Sequence, residues 1–164
     1  MTRVTVQPTL SFLLRHPAHF IALGFGAGLA RVAPGTWGTL VAIPIALLLR
    51  ATTGDLGFAL VTLLLFAAGV WSAQVTGPEL GAPDHGAIVI DEIAAFLLVL
   101  FFTGTAWPRM ALAFVLFRVF DILKPPPIRQ LDAAMKNGLG VMLDDLLAAG
   151  YTLLVFALGQ RLFG

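Results

Sequence analysis

The chain has 164 residues, of which 59% are hydrophobic and only 12% are charged, with a mean hydropathy of +0.93 and a net charge of +1. A water-facing domain carries about 25% charged residues, so the composition points to an integral membrane protein over a soluble helical protein with a very large core. The near-neutral charge excludes a nucleic-acid binder built on a basic patch, and the absence of cysteine excludes disulfides, thiolate metal sites and a cysteine nucleophile.

The length fits a single domain over residues 1–164. The N-terminal stretch makes a poor signal peptide, because Arg15, His16 and His19 interrupt the apolar run an export signal needs. The segment GFGAGLARVAPGTWGT, 24–39, holds five glycines and a proline. It reads as a tight loop ahead of a helix whose free N–H groups can hold an anion. It also reads as a plain turn at the membrane surface, and it does not match the P-loop pattern.

Apolar blocks follow at 38–49, 56–75, 93–107, 110–117 and 146–160. They are apolar nearly all round, as in buried or lipid-facing helices. Only 56–75 reaches the ~20 residues of a full span. The others span only if their flanking turns continue the helices. The expectation is an all-α, compact, membrane-embedded bundle of about five or six helices.

With Arg31 placed in the cytoplasm, alternating crossings put Arg3, Arg15, Arg31, Arg118, Lys124, Arg129 and Lys136 inside. Only Arg50, Arg109 and Arg161 fall outside, in keeping with the positive-inside rule. The same walk collects every acid except Asp55 on the cytoplasmic side, among them Asp84, Asp91, Glu92, Asp121, Asp132, Asp144 and Asp145.

Three charged clusters open onto apolar helices. DHGAIVIDE carries Asp84, His85, Asp91 and Glu92. FRVFDILKPPPI carries Arg118, Asp121 and Lys124, spaced to share one helix face until the prolines stop it. NGLGVMLDD carries Asp144 and Asp145 at what reads as the opening of the last helix. Each cluster alone also reads as a cap, an ion pair or a solvated helix start. Together, carboxylates suit a magnesium ion, which takes oxygen ligands, and the neighbouring arginine and lysine suit a phosphate. The combination predicts metal-assisted chemistry on a phosphorylated lipid. A membrane cation transporter could use the same carboxylates, but it would hold them mid-span rather than at span ends.

These four blocks, in this order, resemble the phosphatidylglycerophosphatase A family from about residue 20 to 150. The matching positions are Gly26, Pro34, Gly35, Thr36 and Gly38; Asp84, Gly86, Asp91 and Glu92; Arg118, Asp121, Lys124, Pro125, Pro127 and Ile128; and Gly138, Gly140, Met142, Asp144 and Asp145. Pro126, Asn137 and Thr39 depart from the family's usual tryptophan, glycine and serine without removing a carboxylate or a base. The resemblance implies an all-helical, magnesium-dependent enzyme of the bacterial inner membrane. It would hydrolyse phosphatidylglycerophosphate to phosphatidylglycerol and inorganic phosphate on the cytoplasmic face. The expected catalytic residues are Asp91, Glu92, Asp121, Asp144 and Asp145, with Asp91, Glu92, Asp144 and Asp145 as metal ligands. Arg118, Lys124, Gly35 and Thr36 are expected to bind the substrate phosphate. Cysteine phosphatases, aspartyl-phosphate enzymes and histidine-nucleophile membrane phosphatases lack their signatures here, leaving a metal-activated water or an aspartate nucleophile.

Overall fold

The computed structural model describes residues 6–163, so Arg3 of the topology argument lies outside the described residues. The chain is all-helical: α1 (Leu10–Arg15), α2 (Pro17–Ala22), a 3-10 segment (Gly24–Leu29), α3 (Pro34–Thr52), α4 (Asp55–Leu80), α5 (Ile90–Thr103), α6 (Trp107–Leu123), α7 (Ile128–Ala134) and α8 (Gly138–Phe163). The count exceeds the expected five or six because α1, α2 and α7, at six or seven residues, are too short to show as apolar blocks.

Among the described residues three helices, α3, α4 and α8, are long and apolar enough to cross a membrane. For α3 and α8 the turns flanking the apolar blocks do continue the helix, as the span reading required. The flanking turns also lengthen α5 at its start and α6 on both sides of its block, yet neither becomes a full span. At 14 and 17 residues these helices reach only ~21 and ~26 Å, short of the ~30 Å hydrocarbon core.

Helix α5 resolves the ambiguity in its all-round apolar pattern by being buried. Ile90, Ile93, Phe96, Leu97, Val99 and Leu100 are fully enclosed, and α3, α4, α6 and α8 pack around them. Helix α4 shows the opposite use of the same composition. Leu56, Leu60, Leu63 and Leu64 face outward, as suits a helix bathed in lipid. Trp37 and Trp107, at the first turns of α3 and α6, are also exposed, where amphipathic rings meet a headgroup layer.

The N-terminal hairpin of α1 and α2 docks on α4. Pro17 sits in the first turn of α2, and the His16 ring caps that helix by accepting from Ala18 N–H. His19 is buried, its ring stacked on Phe12 at 4.0 Å, and Arg15 pairs with Glu79 at 2.6 Å.

The glycine-rich stretch is indeed a tight loop ahead of a helix. Gly24, Phe25 and Gly26 have positive φ, and Ala33 turns the chain into α3 from a left-handed conformation. At Gly38 a side chain would collide with Val89, so the start of α3 lies directly against the segment leading into α5. Close approach of these two segments brings two sequence-distant motifs to one end of the bundle.

Candidate active site

The starts of α3, α5 and α8 and the end of α6 meet at that end. Asp91 and Glu92 occupy the first turn of α5 and are 7% and 9% exposed. The Glu92 carboxylate lies over Gly35 in the first turn of α3, where a Cβ would strike Glu92 Oε1 and crowd Arg118 Nη1. Glycine there lets the backbone approach the acid. Arg118 reaches from α6 to Asp121 at 2.6 Å and to Glu92 and the Thr39 hydroxyl at 3.5 Å. Thr39 in turn donates to the Gly35 carbonyl at 2.9 Å.

The structure corrects two local readings. Lys124 does not share the face of Arg118 and Asp121. It ends α6 in a left-handed conformation, φ 42°, a common way for a helix to stop, and the proline that follows bars its continuation. Its ammonium instead reaches Asp144 at 2.5 Å and Asp132 at 3.2 Å. Asp144 and Asp145 do not open α8. The helix begins at Gly138, and no acid lies in its first turn. Asn137 performs the capping, its side chain accepting from Gly140 N–H at 2.8 Å, a role asparagine fills well. Asp144 and Asp145 therefore sit two turns in, 4% and 3% exposed, and capping does not explain them.

Oxygens of Asp91, Asp144 and Asp145 come within 4.8 Å of one another. The Asp145 carboxyl also lies against Asp121 and Glu92. Five acids, Asp91, Glu92, Asp121, Asp144 and Asp145, thus share a buried space with two cations, Arg118 and Lys124. Asp91 Oδ1, Glu92 Oε2, Asp145 Oδ2 and Arg118 Nε have no hydrogen-bond partner there. Buried charge without a partner is costly, so the pattern is that of groups arranged for something else to bind. Acceptor oxygens in excess fit a divalent cation, and the spare guanidinium N–H fits an anion beside it.

Of the expected residues, Asp91, Glu92, Asp121, Asp144, Asp145, Arg118, Lys124 and Gly35 converge. Thr36 lies one residue further along α3, and its hydroxyl makes no hydrogen bond to the cluster among the described residues. Two further acids join: Asp84 and Asp132 form a second group with Asp144, their ligand oxygens within 4.8 Å. Asp132 is held between Lys124 and Lys136, at 3.2 and 2.7 Å. Slight burial works against its charge, but the two lysines outweigh that and keep its pKa below the ordinary value. Burial likewise opposes the Lys124 ammonium, yet the bond and charge of Asp144 hold its pKa above the ordinary lysine value. Asp132 and Thr39 had signals of their own. Asp132 stands four residues before Lys136, which lies just past the end of α7, and Thr39 stands one turn after Gly35.

Fold and site together define a membrane-associated helical protein with a buried acid cluster and phosphate-suited bases at one end. The family model for phosphatidylglycerophosphatase A matches residues 20–160. The phosphatidylglycerophosphatase A of Haemophilus influenzae is 42% identical over 150 residues, covering 91% of this chain and 92% of its own. That of Escherichia coli is 39% identical over 136 residues, covering 82% and 78%. A Bacteroides thetaiotaomicron protein, designated a candidate phosphatidylinositol-3-phosphatase, is 35% identical over 157 residues, covering 88% and 94%. No solved structure matches the chain significantly. The chain belongs to the phosphatidylglycerophosphatase A family, and it is an enzyme of the phosphatase class.

Proposed function

We propose that this enzyme hydrolyses phosphatidylglycerophosphate to phosphatidylglycerol and inorganic phosphate, with magnesium as cofactor, at the cytoplasmic face of a bacterial inner membrane. The observation that carries the reading is the set of buried, unpartnered oxygens on Asp91, Glu92 and Asp145 in the same cluster as an unpartnered Arg118 N–H. Asp91, Asp144 and Asp145 would hold the ion, with Glu92 beside them. Bound there, magnesium would supply charge neutralisation on the phosphoryl oxygens and would make a nearby water more acidic.

The protein's own groups do the rest. Asp121 fixes the Arg118 guanidinium through a 2.6 Å bond, which leaves the Arg118 Nε–H to donate to a phosphate oxygen. Lys124 places a second positive charge at the opposite rim, beside Asp144. Preorganised donors of this kind stabilise charge developing on a transferring phosphoryl group. Glu92 Oε2 is a free acceptor within the cluster, able to take a proton from an attacking water. The buried walls of α5 and α8 keep bulk water away from these charges, which strengthens their interactions.

Orientation rests on charge. Arg15, Arg31, Arg118, Lys124, Arg129 and Lys136 lie toward the site end and Arg50, Arg109 and Arg161 toward the other, which supports a cytoplasmic site. The acids lie at helix beginnings and ends and in the second turn of α8, none at the middle of a span. That favours interfacial chemistry over an ion path through the bilayer.

The test is phosphate release from phosphatidylglycerophosphate in phosphatidylcholine vesicles, with phosphatidylinositol 3-phosphate as a parallel substrate. Activity should vanish in excess chelator and return with magnesium. Full activity in chelator removes the metal from the reading. Faster release from the inositol lipid reassigns the substrate, and ion flux without phosphate release favours a transporter.

A further inference from the structure

Beside the acid cluster lies a separate polar cavity of about 370 Å³, whose walls include Gln7, Gly28, Arg31, Asp84, His85 and Gly86. Its donors are unusual for so acidic an end of the molecule. His85 is only 8% exposed, and its Nδ1 accepts a hydrogen bond from Ala87 N–H at 3.2 Å. That bond places the ring proton on Nε2, which has no protein partner among the described residues, and the residue is part of the cavity wall. Burial lowers the His85 pKa despite the nearby Asp84, so the ring stays neutral and Nε2–H stays a donor. Arg31 is exposed and makes no ion pair among the described residues. The one acid in the wall, Asp84, also belongs to the group with Asp132 and Asp144, and so joins the cavity to the proposed reaction site.

Two glycines set the shape. A Cβ at Gly28 would collide with the Ala87 carbonyl, so the loop before α3 packs directly on the loop carrying His85. A Cβ at Gly86 would meet nothing; that position borders empty space.

The lipids named for the relatives share one chemical feature beyond the scissile phosphomonoester. Each carries a second phosphate, a phosphodiester, one alcohol unit away, and that diester survives the reaction. We propose that the Arg31–His85 cavity binds this retained phosphodiester, with the Arg31 guanidinium and the His85 Nε2–H as its donors. The cavity then selects substrates whose monoester lies one short linker from a diester, and it positions the monoester at the acid cluster through Asp84's edge of the wall. This inference rests on the phosphatase reading of the neighbouring site.

The experiment compares two phosphomonoester lipids in phosphatidylcholine vesicles: phosphatidylglycerophosphate, which has the diester, and phosphatidic acid, which lacks it. Arg31→Ala should lower kcat/KM for the first by tenfold or more, chiefly through KM, while the loss on the second stays within about threefold. Arg31→Lys should recover part of the difference, because charge returns without the fork. Gly86→Ala, which adds a methyl group at the cavity rim where nothing clashes with it, should leave the protein's stability unchanged and act, if at all, in the same selective direction. Inhibition by added phosphatidylglycerol, which keeps the diester, should weaken tenfold in Arg31→Ala; this arm decides the matter if phosphatidic acid is a poor substrate. Equal losses on both lipids would mean that the cavity holds a bulk phospholipid or only steers anions, and would overturn the proposal. So would unchanged kinetics in Arg31→Ala. A wild-type protein that releases phosphate from neither lipid overturns the phosphatase reading itself, a result distinct from either of these.

Discussion

The two ends of the bundle each bury an arginine, and they treat it differently. At the end away from the acid cluster, Arg50 bonds Asp55 at 2.6 Å and the Phe101 carbonyl at 2.5 Å. Its guanidinium lies 4.9 Å from the Phe58 ring and 5.3 Å from that of Phe101. Both terminal nitrogens and the flat face of that cation meet matching groups, and it leaves no buried polar atom without a partner among the described residues. At the other end Arg118 keeps a buried Nε–H without a partner, and three buried carboxylate oxygens of the same cluster are also unpartnered. One end is closed as a structural joint. The other is left electrically unfinished, and stability alone does not favour that. The comparison teaches that incompleteness, more than charge content, marks where a ligand belongs.

The largest effects should follow from completing the unfinished end. Asp91→Asn and Asp145→Asn each keep the shape of the side chain and remove one of several crowded negative charges. Turnover should fall about 100-fold or more, in the range seen when a group stabilising the transition state is lost. Melting temperature should hold or rise, because like-charge repulsion is relieved. Specific activity and thermal melting on one detergent preparation check both. A variant that melts lower and keeps its specific activity would make these acids structural and erase the contrast between the ends.

Arg118 should come next. Arg118→Ala should lower turnover and raise KM, with Arg118→Lys recovering only part, since the bidentate fork is lost. The guanidinium also ties α6 to α5 through Glu92, so some loss of stability is expected. The deciding quantity is activity per folded molecule. If it stays near wild type while melting falls, Arg118 is a joint like Arg50.

Much of this end could be read in the letters, and the unread part has a physical pattern. Spacing located Asp91, Glu92, Arg118, Asp121, Asp144 and Asp145, because acids in an apolar chain stand out against their surroundings. The all-helical class was equally visible in the all-round apolar blocks. Spacing could not say that α5 is enclosed while α4 faces lipid, since both are apolar on every side. It placed Lys124 on the wrong face because the periodicity rule assumes a helix, and the following proline ends the helix first. It put Asp144 at a helix start because the true N-cap, Asn137, lies behind two glycines that read as loop. The local signals of Asp132 and Thr39 did not say that either reaches the site, because Lys124 and Arg118 come to them from distant segments.

At the closed end the predicted change is smaller and of a different kind. Arg50→Ala removes a carbonyl hydrogen bond and two ring contacts in a partly buried setting. It should cost about 1–2 kcal/mol of stability and leave phosphate release per folded molecule within about twofold of wild type. A tenfold loss of specific activity would mean that this end communicates with the site, and the two ends could no longer be treated as separate.

The smallest effect sharpens the comparison most, because it sits at the active end but is fully partnered. The Tyr151 hydroxyl on α8 donates to the Pro126 carbonyl at 2.6 Å, and its ring stacks on Phe120 at 5.3 Å. That bond tethers the proline turn just after Lys124. If proximity to the cluster decided function, Tyr151→Phe would damage catalysis. If unpartnered groups decide it, the loss should be one exposed hydrogen bond, about 0.5–1 kcal/mol of stability at most, since phenylalanine keeps the stacking. Turnover and KM should then stay within about twofold of wild type, because Lys124 remains held by Asp144 and Asp132. Kinetics and melting on Tyr151→Phe, run beside Arg50→Ala, separate the two views. A kinetic defect in Tyr151→Phe larger than that in Arg50→Ala, at equal stability, would show that the proline turn itself carries part of the chemistry and that incompleteness is too narrow a criterion.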